Sequence, residues 1–471
     1  MIEPTWISVL PPLLAIVLAI VTRQVYLSLA AGIWLGWTIL VGWNPIAGLG
    51  RAIDETVRVL GDEGNAKVIL FTLVIGALIA TVEAAGGVRG FVRWVEQKNF
   101  VTNGRRAQIL AYLVGVVIFI ESNITVLVAG SIGRPLFDRF RVSREKLAYI
   151  IDSTSAPICI LIPLNAWGAY VMQLLGESGV ENSLGVFASS IPLNFYAITA
   201  VIVTLTVVLL GIDLGPMKKA ERRTQGGEVL WPNATPMLDQ DVLSPPPNEN
   251  IEPRARNMFL PIAAMVLMMP ISLYITGDGD LRAGSGSTSV LWAVLTGLTV
   301  AWLLLLAQRA YTIDELTRTG LKGAGGLMSL ALVLLLALSL GSVAAELGTG
   351  LYIAQAAGDA LPAAVFLPLV FLTGAVVAFS TGTSWGTFAI MIPIAVPAAA
   401  ALGLPPAPFV AAALSGGVFG DHASPISDTT IIASMASATD HIDHVRTQLP
   451  YALISGAIAA VAFAVAGAVM G

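Results

Sequence analysis

Four short polar segments interrupt the long apolar runs of this sequence, and each carries side chains that could bind an ion. They are residues 121–125, 152–157, 380–384 and 420–430. An ionisable side chain inside an apolar span is unfavourable by ~2.5 to 3.5 kcal/mol on insertion scales, so it indicates function. The candidate site residues are Glu121, Ser122, Asn123, Thr125, Asp152, Ser153, Thr154, Ser380, Thr381, Thr383, Ser384, Asp421, His422, Ser424, Asp428 and Thr429.

These residue types suit a small hard cation. A helix that breaks inside an apolar span leaves free carbonyl oxygens at the end of its first half and free N–H groups at the start of its second. The carbonyls, together with carboxylate and hydroxyl oxygens, can bind sodium, whereas the N–H groups favour an anion. We expect sodium at Asp421, Asp428 and Asp152, with protons competing for the same oxygens.

Some of the hydroxyl residues have an equally good structural explanation. Ser424 and Ser155 stand where a helix can begin, and a serine there often serves only as a cap. We expect Ser424 to cap a helix that begins at Pro425, which would leave Asp421 in the gap and Asp428 about one turn into the helix.

The three histidines are expected to separate into two groups. His422 lies in the fourth polar segment, where it could be a proton carrier, a gate or a hydrogen-bonded structural residue. His441 and His444 follow the apolar run, close to Asp440, Asp443 and Arg446. We expect this second group to be a solvated cytoplasmic cluster outside the site.

Composition identifies the chain as an integral membrane protein. Of its 471 residues 56% are hydrophobic and 12% are charged, about half the charged fraction of a soluble domain. The apolar runs have helix length and not the alternating pattern of barrel strands. The single cysteine, Cys159, excludes an internal disulfide.

The elements that must position the polar segments follow one plan twice. Simple spans are predicted at 7–21, 25–41, 67–85, 191–210, 258–274, 289–306, 326–345 and 452–470. Basic residues flank 107–135 on both sides, which favours a re-entrant hairpin with its tip at 121–125. A second hairpin is predicted at 361–402, and broken helices at 147–175 and 406–437.

Counting these elements gives five crossings in each half, so the second half must enter the membrane in the opposite orientation. The predicted fold is an all-α polytopic membrane protein of two inverted repeats, each with five spans, a re-entrant hairpin and a broken helix. Residues 1–211 form the first repeat, 212–256 a polar cytoplasmic linker and 257–471 the second repeat. Inverted repeats with broken helices are typical of secondary transporters.

Two long motifs resemble those of a known family. GDHASPISDTTIIASMASATDHIDHVRTQLPYAL (residues 420–453) and SREKLAYIIDSTSAPICILIPLNAWGAY (residues 143–170) resemble the NhaC-type sodium/proton antiporter family of the ion transporter superfamily. The resemblance implies paired hairpins, a homodimer and an elevator-type motion. Its polar motif positions match Asp152, Ser153, Thr154, Asp421, His422, Ser424, Asp428 and Thr429. At the first hairpin tip, Glu121, Ser122 and Asn123 replace an expected acidic pair.

The predicted function is therefore sodium/proton antiport across the cytoplasmic membrane. The alternative is a sodium- or proton-coupled carrier or exchanger of a small organic acid or amino acid, because a Ser-Asn tip is similar to the organic anion carriers of the superfamily. An enzyme is not expected, since no nucleophile stands with a base. The expected partners are sodium, protons and the lipid bilayer, with neither a cofactor nor nucleic acid.

Overall fold

The computed structural model describes an all-helical membrane protein. The described residues are 5–22, 24–87, 89–91, 93, 101–119, 122–163, 165–236, 252–280, 284–349, 352 and 363–470. Six helices in this part of the chain are long and apolar enough to cross a membrane: Glu63–Ala84, Phe195–Gln225, Arg256–Thr276, Gly286–Ala307, Ala364–Thr381 and His441–Met470. Counting each of two bent helix pairs as one span raises the number to eight.

The first half contains twelve described helices. They are α1 (Leu10–Thr22), α2 (Val25–Leu40), α3 (Pro45–Gly61), α4 (Glu63–Ala84), α5 (Gly104–Val117), α6 (Ser122–Arg139), α7 (Arg144–Ser153), α8 (Ala156–Leu161), α9 (Ala166–Glu177), α10 (Ser183–Ser190), α11 (Phe195–Leu210) and α12 (Gly215–Gln225). The helices α5 and α6 pack against each other and form the first hairpin.

The second half contains nine further described helices. They are α13 (Arg256–Thr276), α14 (Gly286–Ala307), α15 (Ile313–Gly326), α16 (Met328–Glu346), α17 (Ala363–Thr381), α18 (Ser384–Ala401), α19 (Pro406–Ala423), α20 (Asp428–Ser437) and α21 (His441–Met470). The second hairpin consists of α17 and α18, which pack on each other and on α19.

Two amphipathic helices were not predicted. The chain bends by 116° between α2 and α3, and α3 keeps Ala52 and Val59 buried while Ile46 and Ile53 are exposed. The helix α15 is likewise short of apolar residues on one face, with Asp314 and Arg318 paired on its surface. Neither run is apolar enough to be recognised as a span, and the periodicity of 3.6 residues is the only sequence signal for them.

The last helix is longer than predicted. The sequence suggested a final span of 452–470, but α21 begins at His441. Its first turns are polar and nevertheless buried: His444, Thr447 and Gln448 face the interior. Hydropathy alone missed this extension because polar residues lower the average over a window even when other helices cover them.

The two breaks in the broken helices have different local causes. The first break separates α7 from α8 at Thr154 and Ser155. Pro157 has no N–H, so it cannot donate to the Ser153 carbonyl four residues earlier. The second break spans residues 424–427, and the Ser427 hydroxyl caps α20 by accepting a hydrogen bond from the Thr430 N–H.

The second break corrects one expectation. The helix was expected to restart at Pro425 under a Ser424 cap, but α20 begins at Asp428 with Ser427 as its cap. Asp421 therefore lies in the last turn of α19 and not in the gap. The Ser424 hydroxyl instead donates to the Phe379 carbonyl oxygen of α17 at 2.7 Å, so a neighbouring element competes for the group that could have capped the helix.

Each break is packed against a hairpin through a glycine. A Cβ at Gly115 of α5 would lie 2.0 Å from the Thr154 Oγ1 atom at the first break. At the tip of the second hairpin, Gly382 has a φ of +69° and faces the Ile426 carbonyl oxygen at the second break. Larger residues would separate hairpin from break, so the glycines allow both to approach closely.

Part of the predicted linker is folded onto the helical core. We call α12 and residues 226–236 the linker cap. The Arg223 guanidinium forms two hydrogen bonds, of 2.7 and 2.9 Å, with the Glu145 carboxylate of α7, and the Glu221 carboxylate accepts hydrogen bonds from Ser143. Thr235 donates two hydrogen bonds to Asp440, just before α21. Residues 237–251 of the linker lie outside the described residues.

Candidate functional site

The first break places Asp152 at the centre of a buried polar cluster. Its side chain is 1% exposed, and Oδ2 accepts hydrogen bonds from Gln448 Nε2 at 2.7 Å and from Thr430 Oγ1 at 3.2 Å. The Nε2 atoms of His444 and His422 lie 3.4 and 3.8 Å from the same oxygen. One carboxylate therefore gathers side chains from α19, α20 and α21.

His422 joins three elements through its imidazole. Its Nδ1 atom lies 2.8 Å from the Tyr196 hydroxyl of α11, and its Nε2 atom lies 3.1 Å from Ser153 Oγ of α7. In neutral imidazole one nitrogen donates and the other accepts, and both hydroxyls can take either role. The hydroxyls on both sides therefore fix the ring in place beside Asp152.

His444 contradicts the expectation of a solvated cytoplasmic cluster. Its side chain is 0% exposed, and neither ring nitrogen is hydrogen-bonded within the described part of the chain. His422 and His444 thus both stand beside Asp152, although they are far apart in sequence. The expectation that His444 is solvated is wrong, because α21 begins earlier than hydropathy suggested.

His441 is also held by the second break. Its Nε2 atom donates to the Pro425 carbonyl oxygen at 2.6 Å, and its Nδ1 atom lies 3.0 Å from Ser434 Oγ. The side chain is half-buried. His441 connects the loop of the second break to α20 and α21, whereas the exposed Arg446 fits the predicted solvated cluster.

The second carboxylate, Asp421, has hydroxyl partners. Its Oδ2 atom accepts hydrogen bonds from Ser384 Oγ at 2.7 Å and from Thr429 Oγ1 at 3.4 Å. Ser427 Oγ lies 3.0 Å from Thr429 Oγ1. Ser384 begins α18, so the tip of the second hairpin and both sides of the second break meet at this carboxylate.

Aromatic rings fix the second hairpin tip to the helix that follows the first break. The Tyr170 ring of α9 stacks on Trp385 with 4.8 Å between centroids, and the Tyr170 hydroxyl donates to the Trp385 carbonyl oxygen. Trp167 packs against Trp385 at 5.2 Å. Because Trp385 is next to Ser384, this packing sets the position of the hydroxyl that reaches Asp421.

Several predicted residues have local hydrogen-bond partners or positions at helix ends. Thr125 Oγ1 donates to the Ile118 carbonyl oxygen within the first hairpin. Thr154 and Thr381 donate to carbonyl oxygens one turn earlier in their own helices. Thr383 is the N-cap residue of α18 without a side-chain cap bond, and Ser380 is half-buried near the end of α17.

The first hairpin tip is described only in part. Ser122 is buried at the start of α6. Glu121 and the side chain of Asn123 lie outside the described residues, and so does the side chain of Asp428, whose backbone begins α20.

Four residues that contact Asp152 or His422 were not predicted from the sequence: Tyr196, Thr430, His444 and Gln448. Each lies in a segment whose sequence predicts an ordinary apolar span or the residues that flank one. The available signal was the helical spacing of His444 and Gln448, which are four residues apart and therefore lie on one face. That face is the one α21 turns toward Asp152.

The arrangement offers groups that can bind a cation or a proton. A buried carboxylate flanked by two imidazoles can hold either a cation on its oxygens or a proton on a neighbouring ring, and two positive charges at one site repel each other. Asp421 with the hydroxyls of Ser384 and Thr429 offers a second set of oxygens of the type hard cations prefer.

Comparison with known proteins identifies the family. The model of the Na⁺/H⁺ antiporter family matches residues 172–468, which is more than half of the chain. The chain belongs to the Na⁺/H⁺ antiporter family. An uncharacterized protein of Haemophilus influenzae is 33% identical to it, over 98% of this chain and 90% of that protein.

Two further similarities are more distant. The malate-2H⁺/Na⁺-lactate antiporter of Bacillus subtilis is 32% identical over 37% of this chain and 38% of its own length. The crystal structure of the Alcanivorax borkumensis YdaH transporter is similar in fold, with a TM-score of 0.58, 14% identity and coverage of 89% of this chain and 88% of that one.

Membership of the family confirms the resemblance inferred from residues 143–170 and 420–453. The protein is a multi-pass membrane protein and a secondary transporter, not an enzyme. The family makes sodium its implied transported ion.

Proposed function

We propose that this family member exchanges sodium for protons, with the buried carboxylates at the two helix breaks as the exchanging groups. The observation that carries the proposal is the Asp152 carboxylate oxygen with the imidazoles of His422 and His444 at 3.8 and 3.4 Å. A proton taken up by this group removes the net negative charge that a sodium ion needs. The two ions therefore bind alternately, which is the requirement for antiport.

Asp421 supplies the second part of the sodium site in this proposal. Its Ser384 and Thr429 partners are hydroxyls, whose oxygens can turn toward a cation once the carboxylate binds it. We include the predicted ligand Asp428 in this part of the sodium site because it begins α20, next to Thr429. The polar residues of the two hairpin tips complete the walls of the proposed site.

The proposed mechanism includes the finer architecture. A similar succession of described helices in residues 1–211 and 257–471 supports the proposal of two inverted repeats with re-entrant hairpins. Packing of each hairpin on a break would let the site pass from one side of the membrane to the other as a unit. We further propose a homodimer in the cytoplasmic membrane, with the site near the bilayer midplane.

Reconstitution into proteoliposomes tests this function. An imposed sodium gradient should drive proton movement in the opposite direction, measured with an entrapped pH-sensitive dye. Asp152→Asn and Asp421→Asn should each lower the initial rate at least about tenfold. Asp314→Asn is the matched control, because Asp314 is an exposed residue paired with Arg318. Full exchange in either buried variant would exclude that carboxylate from the mechanism.

A second candidate function is exchange of a small organic acid. It is supported by the similarity to the Bacillus subtilis protein whose name includes malate and lactate. Radiolabelled lactate and malate uptake by the same proteoliposomes, with and without sodium, distinguishes the two. Organic acid uptake without sodium-driven proton movement would favour this candidate over sodium/proton exchange.

A further inference from the structure

Gln448 is the one carboxamide in contact with both breaks among the described residues. Its side chain is 1% exposed. Its Nε2 atom donates to Asp152 Oδ2 of α7 at 2.7 Å and to the His422 carbonyl oxygen of α19 at 2.8 Å. A residue of the last helix thus holds the ends of both broken helices in one arrangement.

The partners of Gln448 determine which way its amide points. A carboxylate oxygen and a backbone carbonyl oxygen can only accept hydrogen bonds here, so the NH₂ group must face them. The Oε1 atom then faces away, and within the described residues it is buried without a hydrogen-bond donor. Asp152 Oδ1 is in the same condition. Two orphaned oxygens therefore lie on groups that are hydrogen-bonded to each other.

A purely structural clamp does not explain this pair of oxygens. Leaving a buried acceptor unsatisfied is unfavourable, and two such acceptors belong to the hydrogen-bonded side chains of Asp152 and Gln448. Carboxylate and amide carbonyl oxygens are ligands that hard cations prefer, and the single negative charge of Asp152 balances one monovalent cation. The neighbouring Ser153 carbonyl is also denied its usual helical donor, because Pro157 has no N–H.

We propose that Gln448 is a sodium ligand and determines which cation the site accepts. Asp152 Oδ1 supplies the single negative charge and Gln448 Oε1 the neutral oxygen, while the Gln448 NH₂ group keeps both breaks in place around the ion. A second carboxylate at this position would raise the charge of the site and favour a divalent cation. This inference rests on the proposed sodium/proton exchange and names a further residue of the same site.

Binding is measured without transport, by the rise in melting temperature of the purified full-length protein in detergent as sodium is added. Gln448→Met removes the ligand oxygen at similar volume and should raise the half-stabilising sodium concentration at least about tenfold. Gln173→Met, on α9, is the control for a carboxamide elsewhere, since Gln173 bonds Asn65.

Gln448→Glu separates a ligand from a clamp. It keeps an oxygen and adds a charge, so the variant should gain stabilisation by calcium that the parent protein lacks. This result does not depend on whether Gln448→Met folds. Equal half-stabilising sodium concentrations for the parent and Gln448→Met would overturn the assignment. So would a Gln448→Glu variant that loses stabilisation by sodium without gaining stabilisation by calcium.

The two proposals fail in different ways. If the parent protein is stabilised by sodium but moves no protons in proteoliposomes, exchange is wrong and the binding assay still tests Gln448. If exchange is observed and the Gln448 variants retain the parent's sodium dependence in the melting assay, the proposed function stands and Gln448 is not a ligand.

Discussion

Glu145 and Arg223 form a buried ion pair that joins α7 to the linker cap. Their side chains are 0% and 3% exposed, and the guanidinium meets the carboxylate through two parallel hydrogen bonds. Arg223 also donates to the Val229 carbonyl oxygen and stacks on Trp231 at 4.7 Å. Glu145→Gln should therefore release the linker cap, because it leaves the arginine charge buried without its partner.

The burial of both groups sets the size of the effect. Removing one member of a buried ion pair is unfavourable by about 3–5 kcal/mol, most of which comes from the charge that remains. At 1.4 kcal/mol for each factor of ten, local opening of the linker cap should become roughly 10²- to 4 × 10³-fold more frequent. The rest of the protein should keep its fold, since α12 packs on the outside of the helical core.

Cysteine labelling measures this opening directly. Cys159 is the single cysteine, so Cys159→Ala provides a background without thiols. Ala220 of α12 is 0% exposed, and Ala220→Cys can react with maleimide only when the cap opens. If closing is faster than labelling, the labelling rate follows the population of the open form, and Glu145→Gln should raise it by the factor given above.

A charge-balanced variant tests the physical reason. Combining Glu145→Gln with Arg223→Met removes both charges, so labelling should be well below that of either single variant. A rate for Glu145→Gln within about fivefold of the parent would show that water reaches the pair and would refute the reasoning. Equal rates for the double and single variants would show that packing, not the unpaired charge, holds the cap.

Two further perturbations have clear expectations. Gly382→Ala forces a side chain onto a backbone with a φ of +69° and places its Cβ 2.3 Å from the Ile426 carbonyl oxygen. The backbone strain alone is unfavourable by roughly 1–2 kcal/mol, so exchange in proteoliposomes should fall at least about tenfold. The control is Gly50→Ala, which has no atom within 4 Å of the new Cβ and should match the parent. Partial burial opposes ionisation of Asp440, but hydrogen bonds from Thr235 and from nearby backbone N–H groups outweigh it and lower the pKa of Asp440 from 3.8. This stabilisation is present above pH 3.8 and is lost as the pH falls through the lowered pKa. Hydrogen exchange at the Thr235 amide, corrected for its intrinsic rate, should therefore rise in acid in the parent protein. In Asp440→Asn it should already be raised at pH 7.

Most spans could be predicted because a bilayer requires about twenty apolar residues in sequence. The predicted spans at 258–274 and 289–306 correspond to α13 and α14 within a few residues. Polar residues and prolines interrupt runs too long for one span, and the helix breaks at 154–155 and 424–427 lie inside the two predicted broken helices. The re-entrant course of the two hairpins stays a prediction. The helices α3 and α15 could not, because an amphipathic surface helix lowers the hydropathy average on which span prediction depends.

The precise start of α20 depended on competition that sequence does not show. Ser424 and Ser427 are both suitable caps, and their order in the chain favours neither. In the structure the Ser424 hydroxyl donates a hydrogen bond to the Phe379 carbonyl oxygen of the second hairpin, so Ser427 remains to cap the helix. A tertiary contact thereby shifts Asp421 from the gap into the last turn of α19.

The partners of Asp152 show why the site was only half predictable. Asp152 could be predicted as a site residue because it is an ionisable residue within an apolar run, and this pattern is visible in a single segment. His444 and Gln448 carry the opposite signal, because polar residues at the end of a span resemble a solvated flank. Whether such a flank is solvated depends on what packs over it, and α7, α19 and α20 cover it here. A polar flank of a span can therefore be part of a site when its side chains lie four residues apart on one helical face. This is to be considered whenever a buried carboxylate elsewhere in the chain has no partner in its own segment.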